Sequence, residues 1–274
     1  MSTFLIFGDV VGKIGREALK RALPRLKDEF KPDLTIVNAE NIAHGKGLTK
    51  PIIADMHAAG VDFFTSGNHV FSNQRGPHDV WADPELKDLL IRPANFPDGT
   101  AGDGEKTLNL GEKRVLVVNL ICRVFMGEPY GDPFDAMETI LKRHAGEKLD
   151  AILVDLHGEA TSERIAFGIH FDGRVSSVTG THTHVPTADA RILPKGTAYL
   201  TDIGMTGARW SVLGVKPDGP ISRFTSGETV SFEIPDEGAV DLNAVVVTVE
   251  DGPVELRHGA SKAVKIVQIQ KIIE

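Results

Sequence analysis

A chain of 274 residues can bury one sizeable core, and single α/β domains of that length are common, so one domain spanning residues 1–274 is the expectation. Its 41% hydrophobic and 25% charged residues are ordinary for a globular protein, and no apolar run approaches the ~20 residues of a membrane span. A net charge of −8 disfavours a stable nucleic-acid complex, whereas a small anion can still bind where metal cations supply positive charge locally.

The opening MSTFLIFGDV lacks the basic start, long apolar centre and small-residue cleavage site of an export signal and reads as a first strand. A helix near Ile14 to Glu29 leads to LTIVNAEN, and a second near Lys50 to Gly60 leads to VDFFTSGNH. This β-α-β-α-β rhythm predicts parallel strands with crossover helices. Asp83 to Leu90 reads as a short helix and PANFPDGTAGDGEK as a surface loop, after which RVLVVNLI resumes the strands. Pro133 stands where a helix begins, and the amphipathic DAMETILKRHAGEK after it ends before the strand LDAILVDLHG. RVSSVTGTHTHV, GTAYLTDIG, TVSFEIPD, AVVVTVE and AVKIVQIQKI then follow with little helical pattern between them. The expected fold is α/β, with two mixed β-sheets packed as a sandwich and flanked by helices. The lone Cys122 excludes an internal disulfide and a CxxC zinc site, which fits a cytoplasmic protein.

Strand after strand ends in side chains able to bind metal: Asp9 in FGD, Glu40 and Asn41 in NAEN, Asn68 and His69 in GNH, His157 in DLHG. GTHTH adds His182 and His184, which in an extended segment would project to the same side. Ligands in α/β folds collect beyond the carboxyl ends of strands, so these blocks suit one shared site. Carboxylate, amide and imidazole without thiolate favour Mn, Fe or Zn.

In composition and order the blocks resemble those of the calcineurin-like metallophosphoesterases, which run approximately D-x-H, G-D, G-N-H, H and G-H-x-H. More closely, FGDVVGKIGR, NAENIAHGKG, TSGNHVF, VDLHGEATSE, VTGTHTHVPTADARILP and YLTDIGMTG are similar to the YmdB family, a bacterial branch with 2',3'- and 3',5'-cyclic nucleotide phosphodiesterase activity. The resemblance implies two transition-metal ions, Fe or Mn before Zn. Asp9, Glu40, Asn41 and His184 would serve one, and Glu40, Asn68, His157 and His182 the other. Glu40 would bridge them, and His69 would be the proton donor. Two ions ~3.5–4 Å apart can generate a bridging hydroxide and clamp both oxygens of an in-line displacement at phosphorus. Two departures from the broad superfamily stand out: Val11 replaces the D-x-H histidine, and Glu40 replaces the bridging Asp. Asn41 is expected to fill the vacancy.

Other candidates read as structural. His57, His78, His144, His170 and His258 suit solvated or packing roles, while His44 in IAHGKGL stands between such a role and contact with substrate. Arg164, Arg174 and Lys195 are cations without an assigned phosphate, and Gly8, Gly12 and Gly15 match neither a dinucleotide nor a Walker pattern. TDIGMTG either shapes the pocket or makes a tight turn. Three functions compete: a phosphodiesterase acting on a small substrate such as a cyclic nucleotide, a metallo-hydrolase of phosphomonoesters or amides, and a regulatory protein with a structural metal. His69 favours an enzyme, since a structural site needs no proton donor. Self-association as a homo-oligomer is also implied by the resemblance.

Overall fold

The computed structural model describes residues 1–228, 230–250, 254–255 and 261–274. The chain opens with β1 (Ser2–Asp9), α1 (Gly12–Phe30), β2 (Leu34–Asn38), α2 (Lys50–Ala58) and β3 (Phe63–Thr65), the parallel unit expected from the rhythm. After α3 (Arg75–Trp81), a hairpin of β4 (Glu105–Leu110) and β5 (Lys113–Ile121) starts the second sheet. Next come α4 (Pro133–Arg143), β6 (Lys148–Leu149), β7 (Ala151–His157), α5 (Thr161–His170) and β8 (Ser177–Thr181), with β5, β7 and β8 parallel. The last elements are β9 (Arg191–Ile192), β10 (Ala198–Leu200), β11 (Gly207–Ala208), α6 (Asp218–Ser226), β12 (Val240–Val249), β13 (Val254–Glu255) and β14 (Ala263–Ile273).

Among the described residues these form two six-stranded mixed sheets and a short β13-β6 pair. In the first sheet β12 runs antiparallel to β1, β11 and β14, with β2 and β3 continuing beyond β1; the second has the order β4-β5-β7-β8-β10-β9. Side-chain alternation then decides the layers. Phe4 and Ile6 of β1, Ile36 of β2, Val115 and Val117 of β5 and Leu153 of β7 meet in the apolar layer between the sheets. Their neighbours point outward: Leu5 and Phe7 pack under α1 and α2, and Leu116, Val118 and Val154 under α4 and α5. Each sheet is thus covered on both faces, which explains the near-continuous apolar runs in its parallel strands.

The inward row changes character toward the strands' carboxyl ends. Leu34 and Ile36 give way to Asn38, Phe63 to Thr65, Val115 and Val117 to Asn119, and Ala151 and Leu153 to Asp155. A buried polar layer therefore caps the apolar one: Asn38 Nδ2 donates to Asp155 Oδ2 at 3.1 Å, Thr65 Oγ1 to the same oxygen at 2.5 Å, and Ser66 N–H to Asn119 Oδ1 at 3.0 Å.

Several local expectations fail. Residues 83–90 form turns, and the helix lies earlier, in α3. Leu90 is drawn into a bridge with Phe64, and Trp81 Nε1 donates to its carbonyl at 3.0 Å, so pairing at the edge of β3 overrides helix propensity. Thr229 of TVSFEIPD lies outside the described residues, and residues 230–236 form no strand. Helices α5 and α6 arise where the sequence shows little helical pattern. Gly168 in α5 faces the ring of Tyr199, where a Cβ would collide, and α6 is built largely from Gly, Pro, Ser and Thr. Helix α5 obeys packing more than propensity. Among the described residues no helix is long and apolar enough to cross a membrane.

Candidate metal centre

Asp9 closes β1, Glu40 and Asn41 follow β2, Asn68 and His69 follow β3, His157 closes β7, and His182 and His184 follow β8. The two sheets bring these ends together: His182 N–H, beyond the second sheet, donates to Asp9 Oδ2 of the first at 2.9 Å. Gly67 lies directly against Glu40 and His157, where a Cβ would strike both side chains.

One subgroup is close-knit. His157 Nε2 lies 2.9 Å from Asn68 Oδ1, 3.3 Å from Glu40 Oε1 and 3.1 Å from His182 Nδ1. Glu40, His157 and His182 each offer one ligand atom within 4.8 Å of the others. A second subgroup adjoins it, in which His184 Nε2 faces Asn41 Oδ1 at 3.3 Å. The Asn41 amide nitrogen is held by the Gly45 carbonyl at 2.9 Å, which turns the oxygen inward.

The two histidines of GTHTH do not share a side of an extended strand. β8 stops at Thr181, and His182 and His184 take φ of 105° and 64°, so the backbone turns at each and sends one ring to each subgroup. Positive φ at two non-glycine residues is strain of the kind that concentrates at functional sites.

Each imidazole is oriented from outside. His157 Nδ1 lies 2.9 Å from Thr181 Oγ1, His182 Nε2 lies 3.3 Å from Glu159 Oε2, and His184 Nδ1 lies 2.9 Å from the Leu213 carbonyl. The Thr181 hydroxyl gives its own proton to Asp155 Oδ1 at 2.8 Å, so its lone pair receives the Nδ1–H of His157. Carboxylate and carbonyl can only accept, so all three rings spend a proton outward and turn the other nitrogen to the cluster. Thr181, Glu159 and Leu213, which contact the candidate ligands, and Asp155, which fixes Thr181, are positions that sequence reading missed. The switch from apolar to polar in the inward strand rows marks Thr181 and Asp155, whereas nothing local marks Glu159 or Leu213.

Electrostatics point the same way. Burial pushes the Asp9 carboxyl up to about 6, and its Oδ1 is buried without a hydrogen-bond partner. Burial would also raise Glu40, but His157 and the His69 N–H outweigh it and hold the carboxyl down at about 2. For His157 burial opposes the charge, yet Glu40, then Asp9 and Asp155, lift it to about 9. Burial, reinforced by His157, drops His182 to about 3 and keeps it neutral. A single proton on His157 thus faces the acceptor atoms of Glu40, Asn68 and His182, with an orphaned carboxylate oxygen alongside. Converging acceptors with too little positive charge fit a metal site, and the thiolate-free donor set suits Mn, Fe or Zn.

His69 stands beside this group and is half-buried. Its N–H donates to Glu40 Oε2 at 2.9 Å and its Nδ1 lies 3.2 Å from Ser72 Oγ. Arg164 is not free for phosphate: it is 1% exposed and pairs with Asp202 at 2.6 Å. Asp202 also accepts from Thr183 N–H and Oγ1, while Met205 N–H donates to the His184 carbonyl and Thr206 N–H to that of Asp9. TDIGMTG is therefore a brace for the histidine loop. Arg174 pairs with Glu138, and Lys195 N–H caps Asp172. His57 meets the Val61 carbonyl, His78 packs on Phe71 and Trp81, His144 meets Glu105 and Glu147, and His170 meets Glu138. His44 is exposed on its loop, and His258 lies outside the described residues.

The chain is 43% identical to the 2',3'-cyclic-nucleotide 2'-phosphodiesterase of Bacillus subtilis (strain 168), over 97% of this chain and 95% of that protein. Its fold is similar to the crystal structure of a hypothetical protein from Thermus thermophilus, with a TM-score of 0.87, 37% identity and coverage of 98% and 99% of the two chains. It is also similar to a structure described as a novel phosphatase from Mycoplasma pneumoniae, with a TM-score of 0.86, 35% identity and coverage of 99% and 93%. With a match to the YmdB-like protein family running over residues 5–258, all the candidate ligands included, the chain belongs to that family.

Proposed function

We propose that this chain is a metal-dependent phosphodiesterase that hydrolyses 2',3'- and 3',5'-cyclic nucleotides. What carries this is the convergence of acceptor atoms from Glu40, Asn68, His157 and His182 beside the unpartnered Asp9 Oδ1. Kinship with the Bacillus enzyme supports the choice of bond. Asp9, Glu40, Asn41 and His184 would hold one ion and Glu40, Asn68, His157 and His182 the other, with Glu40 common to both sets. Iron or manganese would be the metal. Ions bound there supply charge neutralisation at phosphorus and activate water. The chain itself does the rest. Thr181, Glu159 and the Leu213 carbonyl hold the rings turned inward, and His69 delivers a proton to the leaving sugar oxygen.

Metal analysis combined with a hydrolysis assay tests this. Protein reconstituted with Mn or Fe is expected to hold close to two ions per chain and to melt at higher temperature than chelated protein, since saturation at ~100 times Kd adds about 2.7 kcal/mol. At most one ion after reconstitution excludes the dinuclear centre. Rates on cyclic nucleotide, nucleoside monophosphate and peptide, measured side by side, decide the bond. Faster monoester cleavage would favour the phosphatase reading, the word used for the Mycoplasma relative.

The orienting hydroxyl gives a second test. Thr181→Val keeps the side-chain shape but removes the acceptor of His157 Nδ1–H, so metal affinity should fall ~10- to 100-fold. Thr181→Ser should restore it. Equilibrium dialysis measures both, and unchanged affinity in Thr181→Val would show that His157 needs no such support.

A further inference from the structure

Beside Asn68 lies a cavity of about 360 Å³ that none of the proposed chemistry uses. Its walls are mainly aromatic and apolar, formed by Phe71, Phe96, Pro97 and Tyr130, with Glu128 at one side. Phe96 and Tyr130 stack with centroids 5.1 Å apart and planes 14° from parallel, and Phe71 stands 6.1 Å from Phe96, tilted 41°. Neighbouring loops carry these rings, and a buried side chain ties the loops together. Asn95, 5% exposed, donates from Nδ2 to the carbonyls of Gly131 at 2.7 Å and Ile121 at 2.6 Å, while Gly131 N–H returns a bond to the Asn95 carbonyl at 2.8 Å. The aromatic wall is built into the fold and continues the candidate metal centre, because Asn68 belongs to both. Burial, with the charges of Glu128 and Glu40, raises the Tyr130 phenol to about 12. It therefore stays a neutral ring and a hydrogen-bond donor.

We infer that this cavity is a subsite for the heterocyclic base of a nucleotide substrate, with Tyr130 and Phe96 as specificity-determining residues; the inference rests on the phosphodiesterase reading. The volume lies at the lower end of the roughly 300–1,000 Å³ typical of small-molecule sites, which suits one flat heterocycle and its sugar. A stacked pair of rings extends naturally by one more flat ring, since every base presents a π-face and stacking is tolerant of which base arrives. Glu128 can accept an N–H from the base edge. A phosphodiester anchored near Asn68 then has its base on the aromatic wall and its ester at the metal-binding groups.

The test uses full-length, metal-loaded protein and two substrates, adenosine 2',3'-cyclic phosphate and the base-free ribose 2',3'-cyclic phosphate. Tyr130→Leu keeps apolar bulk but removes the stacking face. It should lower kcat/KM for the adenosine ester by on the order of tenfold to a hundredfold and leave the ribose ester within about twofold. Tyr130→Phe should keep both rates. Equal losses on the two substrates would make the wall a structural support and overturn the subsite, as would no loss on either. Calorimetry of adenosine monophosphate binding to wild type and Tyr130→Leu separates the two readings. If wild type cleaves neither ester but binds the nucleotide in a Tyr130-dependent way, the phosphodiesterase reading falls and the subsite stands. Binding that ignores Tyr130 overturns the subsite.

Discussion

Glu40→Gln is expected to strip metal from the centre and cut turnover by at least about a hundredfold while leaving a folded protein. Glu40 is 1% exposed, its Oε1 lies 3.3 Å from His157 Nε2, and its Oε2 accepts the His69 N–H at 2.9 Å. Gln has the same shape, so the change removes charge and little else. In the proposed site that charge would offset two cations, whose mutual repulsion in a buried setting would then be poorly compensated. Removing one partner of a buried charged group costs about 3–5 kcal/mol, which corresponds to roughly a hundredfold to several thousandfold in affinity or rate. Metal content should fall below two ions per chain, cyclic-nucleotide hydrolysis by at least about a hundredfold, and the metal-dependent rise in melting temperature should shrink with it. The far-UV circular dichroism should match wild type, because the strands that carry Glu40 are held by the apolar layer and not by the site. Two bound ions and near-normal turnover in Glu40→Gln would remove Glu40 from its bridging role.

Much of this site can be read from the sequence because of where its residues sit. A polar or ionisable side chain directly after an apolar strand has nowhere to go but the sheet edge, and strands in parallel share that edge. Asp9, Glu40, Asn68 and His157 are legible for this reason, as is α4, announced by Pro133. Asp132 accepts the N–H groups of Phe134 and Asp135, and Pro133 occupies the first turn. What resists reading depends on distant pairings or on backbone angles. Thr181 acts through Asp155, 26 residues away, and His184 through a carbonyl 29 residues away. The positive φ at His182 and His184 overturns an argument from strand alternation, because the loop is bent by the clamp of Asp202 on Thr183. Helix α5 is hidden because its sequence answers to a neighbour, the ring of Tyr199 over Gly168.

His69→Ala should retain both ions and lose activity selectively. The residue follows candidate ligand Asn68, and its backbone is tied to Glu40, so the ring must stand beside the centre without belonging to the group of Glu40, His157 and His182. Ser72 Oγ engages Nδ1 at 3.2 Å, leaving Nε2 as the nitrogen that can present a proton. Burial lowers the pKa of His69, with Glu40 opposing and Lys46, His157 and His184 reinforcing the fall. The acid form is therefore scarce at neutral pH until a phosphodiester anion settles beside the ring and favours its charge. General acid catalysis contributes ~10²–10⁴-fold, and only where the leaving group is basic enough to need a proton in the transition state. A cyclic nucleotide expels a sugar alkoxide, so its hydrolysis by His69→Ala should fall by that factor. A nitrophenyl phosphodiester expels a phenolate that is stable without a proton, so its loss should be much smaller. Metal analysis of the variant accompanies the two rates. Equal losses on both esters with metal retained would mean that His69 orients phosphate, and lost metal would make it a ligand.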